Sequence, residues 1–484
     1  MSDASTYDPY AMPTDAIQDP PESLWQALRK IGPGIILAGS IVGSGELIAT
    51  TALGADWGFM FLWLILFSCV IKVFVQIELG RYAISSGKPT LGALNELPGL
   101  RFGAHWQVWW WFFMLMATVI QLGAMVGGVA QALNLALPGL GSKCIALAGG
   151  EATGLGRLLL VHPEHPWAIF TALAAVVLLL SGGYAFTEKL TTALVVGVTA
   201  ITVACVIALP ATGYPIQLSE VAQGFTFQFP SDVAQRTKAI AKAFAVFGIT
   251  GVGAAELYAY PYWCLEKGYA RFVGPRTDDD AWARRANGWL RVMHLDAWVS
   301  MLVFTLATVS FYFLGATVLH RKNIHPEGTQ MIATLAEMYV PSFGDWTKLV
   351  FLVGAWAVLF KTLYVASAGH SRLSADFLNL SKFVHYSNAY SRRRVIRFFC
   401  VFFPMLALAF YLWLGEPQSM VIFGGFVQGI TLPVISGAAL YLRYTRTDPR
   451  IAPNKLTDLC LWLAFGLICL FGVKAVWDKL AVLF

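Results

Sequence analysis

Val42-Gly43-Ser44-Gly45-Glu46-Leu47 and Val252-Gly253-Ala254-Ala255-Glu256-Leu257 are one phrase, V-G-small-small-E-L, written twice in a 484-residue chain. Each copy lies inside an apolar run long enough for a helix to cross a bilayer. The first copy falls in the first such run and the second in the sixth. Five crossings separate them, an odd number, so the two copies enter the membrane in opposite senses. That is the signature of an inverted repeat, whose shared site lies at mid-depth where the paired helices break. Gly43, Ser44 and Gly45 form a stretch of poor helix propensity; Gly248, Gly251 and Gly253 do the same in the second copy, with Pro261 following. Exposed backbone at that depth is tolerated only where it lines a cavity.

The composition agrees with a membrane protein. The chain is 57% hydrophobic and only 13% charged, with mean hydropathy +0.62, against about a quarter charged in soluble domains. The apolar windows predict about eleven spanning helices, each near the 20-residue length a bilayer core demands. They are Ile31–Leu53, Trp57–Leu79, Trp106–Leu135, Pro166–Gly183, Thr191–Ala211, Ala239–Trp263, Trp289–Leu319, Trp346–Ala368, Val395–Leu414, Met420–Leu442 and Leu456–Val476, called spans 1 to 11 below. The expected fold is therefore an all-α polytopic membrane protein, a 5+5 inverted repeat with discontinuous helices 1 and 6. Residues 1–30 form an N-terminal segment, 31–211 the first five-helix repeat, 239–442 the second, and 456–484 an added helix 11 with the C-terminus.

Lys and Arg concentrate in alternate loops, among them Arg284, Arg285, Arg392–Arg394, Arg443, Arg446 and Arg450. By the positive-inside rule this sets the N-terminus in the cytoplasm and the C-terminus outside a cell membrane. The first 28 or so residues lack a basic region followed by a short apolar core, so span 1 is expected to direct insertion. The larger loops, Pro138–His165, Thr212–Arg236, Leu265–Gly288 and His320–Asp345, read as connectors. The seven cysteines have no paired spacing, which gives neither a disulfide framework nor a metal knuckle. No nucleophile–base pair, phosphate loop or HExxH indicates an enzyme, and no polybasic tract indicates nucleic acid.

Glu46 and Glu256 are ionisable groups near the bilayer centre, costly there and functional by default. Facing one cavity, they supply hard oxygen ligands for a divalent cation such as Mg²⁺, Ca²⁺ or Mn²⁺, so both are the expected metal ligands. Two other roles stay open. Each glutamate follows a helix break, so it could cap free amides of the outgoing half-helix. One of the two could instead stay protonated. Gly43, Ser44, Gly45, Gly253, Ala254, Ala255, Gln428 and Thr431 are the further substrate-binding candidates. Gln121 and Gln131 in span 3, with Lys361 and Thr362 in span 8, are weaker signals, polar groups placed to line a path. His294 and Asp296 read as a satisfied polar pair. His162-Pro163-Glu164-His165 has the look of a metal trap, but its proline and its loop setting argue against one.

Ile31-Gly-Pro-Gly34, the motif that follows, Leu53-Gly-Ala-Asp-Trp-Gly58 and Leu79-Gly-Arg-Tyr-Ala-Ile-Ser-Ser-Gly-Lys88 resemble the Nramp divalent-metal transporters. Ala368-Gly369-His370 and Leu432-Pro433 also sit where that family has similar stretches. The resemblance implies a LeuT-type fold and alternating access. The chain departs from the family at the site: Asp-Pro-Gly-Asn of helix 1 is Gly43-Ser44-Gly45-Glu46 here, and Met-Pro-His-Asn of helix 6 is Gly253-Ala254-Ala255-Glu256. Losing the methionine thioether removes a preference for soft metals. Two glycines are expected to widen the site enough for an ion that keeps part of its water, as in the Nramp-related magnesium transporters. The family's helix 3 acids are missing from Gln121–Val129, which implies weak or no proton coupling. An inside-negative potential would drive a dication by about 4.6 kcal/mol per 100 mV.

The sequence therefore predicts a carrier of divalent cations, Mg²⁺ or Mn²⁺, with the cation as substrate and no cofactor. Its surroundings are the lipid bilayer, and its oligomeric state is not encoded in any motif. Two alternatives stand beside it: a carrier of a small organic solute, an amine or amino acid, on the same fold, and a non-transporting sensor built on a carrier scaffold.

Overall fold

A computed structural model gives the fold and describes residues 10–181, 184–386 and 388–481. The start of the N-terminal segment, the expected end of span 4 at Gly183, and residues 482–484 lie outside the described residues. The chain is helical nearly throughout. A two-residue ladder pairing Arg101–Phe102 with Ala104–His105 is the exception to all-α among the described residues.

Eight described helices are long and apolar enough to cross a membrane, and a bent pair supplies a ninth. The bent pair is span 1: Pro33–Ile41 and Gly45–Trp57 meet at 41°. Span 4, at His165–Ser181, is a shorter apolar helix of 17 residues; span 5 runs Tyr184–Ala208. The expected eleven are all present as helices. Several exceed their apolar windows: span 7 begins at Asp280, span 8 runs Trp346–Leu380 and span 9 begins at Ala389. Their added first or last turns are polar, and hydropathy carries no signal there.

Both breaks fall where the repeated phrase lies. Span 1 stops being helical at Val42, whose ψ of 78° leaves the helix basin, and resumes as a wide π-type turn over Gly45–Thr50. Thr50 and Thr51 donate their hydroxyls to the carbonyls of Gly45 and Glu46, satisfying oxygens that the wide turn frees. Span 6 consists of Val233–Ile249 and Ala254–Lys267, interrupted over 250–253. There Gly251 has φ +64°, and a Cβ would lie 2.9 Å from the Cα of Cys69, so only glycine fits.

Spans 3, 4, 8 and 9 pack on one another, and spans 1, 2, 6 and 7 form a second group seated against them. Asp296, in span 7, accepts the amides of Gly32 and Gly34 at 2.9 and 2.6 Å and so caps the first half of span 1. It does not pair with His294, whose ring nitrogen lies 3.3 Å from Arg81. The pair expected from sequence is two separate anchors. The expected connector 138–165 holds short helices, Pro138–Leu147 and Gly154–Val161.

Candidate functional site

Breaking a helix in hydrocarbon frees carbonyls at the end of its first half and amides at the start of its second. Each unsatisfied group there costs several kcal/mol, so the partners at each break define the site.

The carbonyls are taken by two buried lysines. Lys361 of span 8 reaches the Val42 carbonyl at 2.7 Å, and Thr362 donates to the Gly39 carbonyl at 3.3 Å. Lys72 of span 2 donates to the carbonyls of Phe247, at 2.7 Å, and Thr250. Ser68 donates to the same two oxygens. The Lys72 ammonium also stands 4.9 Å from the centre of the Phe247 ring. Lys72 was invisible to sequence reasoning, since a lone lysine in an apolar run shows no partner. Lys361 ranked only as a polar group along a path.

The amides are taken by Glu46. It is fully buried. Its Oε2 accepts from the Gly43 amide and its Oε1 from the Gly251 amide, each at 3.4 Å, and Thr308 of span 7 donates to Oε1 at 3.4 Å. One carboxylate thereby serves both breaks. The hydroxyls of Thr50 and Thr250, 3.2 Å apart, add a second tie between them.

Glu256 is placed differently. Ser40 donates to its Oε1 at 2.8 Å, and its side chain lines two adjoining small cavities between the broken helices and span 8. The first is walled also by Ser44, Gly45, Gln121, Ala255, Thr362, His370 and Gln428. Its free space is little more than one water molecule's worth. Gln428 of span 10 accepts the Ala255 amide at 3.1 Å and donates to Gln121 at 2.9 Å; Gln121 in turn donates to Ser44 at 3.3 Å. His370 lines both cavities, and neither of its ring nitrogens has a hydrogen-bond partner. A buried imidazole left so is costly unless it is completed by something that enters the cavity.

Of the residues named from sequence, the cavity brings together Ser44, Gly45, Ala255, Glu256 and Gln428, with Gln121 and Thr362 among the weaker ones. Glu46, Gly43, Gly253, Ala254 and Thr431 are not among its walls. Thr431 instead accepts from the Trp110 indole at 3.3 Å and donates to the Val427 carbonyl. The glycines do not widen the site. A Cβ on Gly43 would strike the Thr362 side chain, and one on Gly253 would lie 2.6 Å from Glu256 Oε2 and 2.8 Å from Gln428 Oε1. Neighbouring polar side chains already fill the room those glycines leave. Ser40 and the orphaned His370 are the residues sequence reasoning missed. His370 appeared there only inside a family-like stretch, though a mid-span histidine is itself a signal.

Two oppositely inserted halves, each with one broken helix, meeting at a small polar cavity between the breaks, define a multi-pass membrane transporter of the LeuT-type fold rather than an enzyme. The chain belongs to the Nramp family (natural resistance-associated macrophage protein-like), whose profile matches residues 34–478. An uncharacterised protein of Pasteurella multocida is 24% identical over 377 residues, 76% of this chain and 75% of that one. The divalent metal cation transporter MntH of Mycobacterium tuberculosis is 27% identical over 148 residues, 30% of this chain and 32% of its own length. Among solved structures, a mutant of the Eremococcus coleocola manganese transporter aligns with TM-score 0.66 and 16% identity, over 96% of this chain and 90% of that one. Mhp1, a nucleobase-cation-symport-1 family transporter, aligns at 0.56 and 15% identity, over 93% and 91%.

Proposed function

We propose that the protein carries divalent cations across a cell membrane by alternating access, with Mn²⁺ favoured over Mg²⁺. The observation that carries this reading is the cavity wall shared by the Glu256 carboxylate and the unpartnered His370 imidazole. A carboxylate with one nitrogen ligand suits Mn²⁺; Mg²⁺ demands oxygen. The oxygens of Ser40, Ser44 and Gln121 stand beside them. The small free space matches an ion stripped of its water better than the partly hydrated ion that the sequence suggested. In this reading Glu256 holds the ion while Glu46 holds the two breaks together. Residues 31–211 and 239–442 are the inverted repeats, and the two packed groups drawn from both of them, spans 1, 2, 6 and 7 and spans 3, 4, 8 and 9, move against each other. Basic loops set the N-terminus inside, and without helix 3 acids the membrane potential is the driving force. The divalent metal cation in the description of MntH and the manganese in that of the Eremococcus coleocola transporter support the same substrate class.

Purified protein in proteoliposomes tests the proposal. Mn²⁺ influx should follow an inside-negative potential, persist without a pH gradient, and disappear in Glu256→Gln. Unaltered influx in Glu256→Gln would refute it.

One observation favours a second reading, a small organic amine. Trp263 lines the adjoining cavity beside Glu256, and an indole face with a carboxylate recognises organic cations. Calorimetry with Mn²⁺ against an amine panel separates the two readings.

A further inference from the structure

We propose that His162, Glu164 and His165 form a binding site for a divalent transition-metal ion at the end of the molecule opposite the N-terminal segment. Three spans lie between that segment and this loop, which fixes the face. The site is separate from the Glu256 cavity and shares no residue with it.

The sequence argument against the motif was its proline and its loop setting. The structure removes both objections. The helix Gly154–Val161 ends at His162, and the chain turns through Pro163 and Glu164, with the His165 amide donating to the His162 carbonyl at 3.2 Å. This turn brings the two imidazoles together, 4.5 Å between centroids and 4° from parallel, and a rotation of one ring about its side-chain torsions lets both in-plane lone pairs meet at one ion. One ligand atom from each of the three residues lies within 4.8 Å of the others. His162 Nδ1 and Glu164 Oε1 are 3.4 Å apart. Two atoms each ~2.1 Å from a tetrahedral ion stand ~3.4 Å apart, so this edge already has the spacing a bound metal requires.

The surroundings are those of a held ligand set. Glu164 is buried, whereas the His162 side chain is 38% exposed, so an ion reaches an anchored carboxylate from solvent. The Tyr411 ring of span 9 packs edge-on against the His165 ring, 6.2 Å between centroids. Packed neighbours of this kind hold a ligating ring in its orientation. Two imidazoles and one carboxylate select Zn²⁺, Co²⁺, Ni²⁺ or Fe²⁺ and exclude Mg²⁺ and Ca²⁺. Three protein ligands leave a position for water. Occupancy would staple the end of the Gly154–Val161 helix to the first turn of span 4.

Cobalt(II) is the probe, because it reports its ligands through visible absorption. The test uses full-length protein in detergent carrying Glu256→Gln and His370→Gln, which removes the transport cavity from the count. One equivalent of Co²⁺ should bind, be displaced by Zn²⁺, resist millimolar Mg²⁺, and bind more weakly as pH falls and protons compete for the imidazoles. Adding His162→Ala with His165→Ala should lower the affinity at least tenfold and abolish the absorption band. Glu164→Gln, a milder change, should weaken binding with the band shifted. Gel-filtration profiles unchanged by these substitutions establish that the fold is intact. Equal Co²⁺ binding with and without the two histidines would overturn the proposal. So would the absence of saturable binding at concentrations up to about 1 mM in protein that keeps them.

Discussion

At the span 1 break, Glu46 spends both carboxylate oxygens on backbone amides, one from each broken helix, and is sealed from solvent. At the span 6 break, Glu256 accepts from the Ser40 hydroxyl and lines the small cavity. The two residues occupy the same place in the same six-residue phrase, each in the first turn of its outgoing half-helix. The difference arises from their neighbours. Glu46 covers the Gly251 amide as well as its own Gly43 amide, and Gln428 covers the Ala255 amide, while Glu256 turns toward Ser40 and the cavity. In the proposed reading, a near-symmetric repeat thus yields one structural carboxylate and one that holds the cargo.

Several substitutions sharpen or break this contrast. The largest effect belongs to Glu256→Gln: Mn²⁺ influx in proteoliposomes should fall at least ~100-fold, with little change in thermal unfolding, since a buried charged ligand is worth about 3 kcal/mol or more. Next is His370→Gln, which replaces nitrogen by an amide that also suits Mg²⁺; the preference for Mn²⁺ in competition flux should drop about tenfold. Lys361→Met strips the Val42 carbonyl of its lysine partner and should cost about 2 kcal/mol in detergent unfolding. Lys72→Met should cost about half as much, ~1 kcal/mol, because Ser68 still donates to both carbonyls. Smallest is Glu46→Gln, which keeps an oxygen for one break: a loss of about 1 kcal/mol and under tenfold in flux. Should Glu46→Gln silence transport as fully as Glu256→Gln, the contrast is wrong and the two carboxylates act on the ion together.

The fold was legible because its causes are local. Apolar length fixes the spans, and the repeated glycine-rich phrase fixes which two of them break. Orientation of the halves then follows from counting. The site was legible only in part. Glu256, Gln428, Ser44 and Ala255 lie on the phrase or on an obvious polar position in a span. The division of labour between the two glutamates depends on Gly251 turning its amide toward span 1, and on Lys72 and Lys361 arriving from helices far away in sequence. Nothing in their local patterns names those partners. The effect of Gly43 and Gly253 was misread for the same reason: a missing side chain reads as space until Thr362, Glu256 and Gln428 are seen to occupy it. The stacked histidines of the opposite face needed the turn at Pro163, and proline in a sequence records a bend without its direction.

The lysines at the breaks have an electrical consequence. Their ammonium groups sit where loosely held monovalent ions could otherwise neutralise exposed carbonyls, but they are covalently part of the protein and cannot depart with the shipment. In the proposed reading, every unit of current through a voltage-clamped membrane is then owed to the cargo itself. The charge moved per ion delivered should therefore equal the valence of that ion, unaltered when sodium is exchanged for a large inert cation.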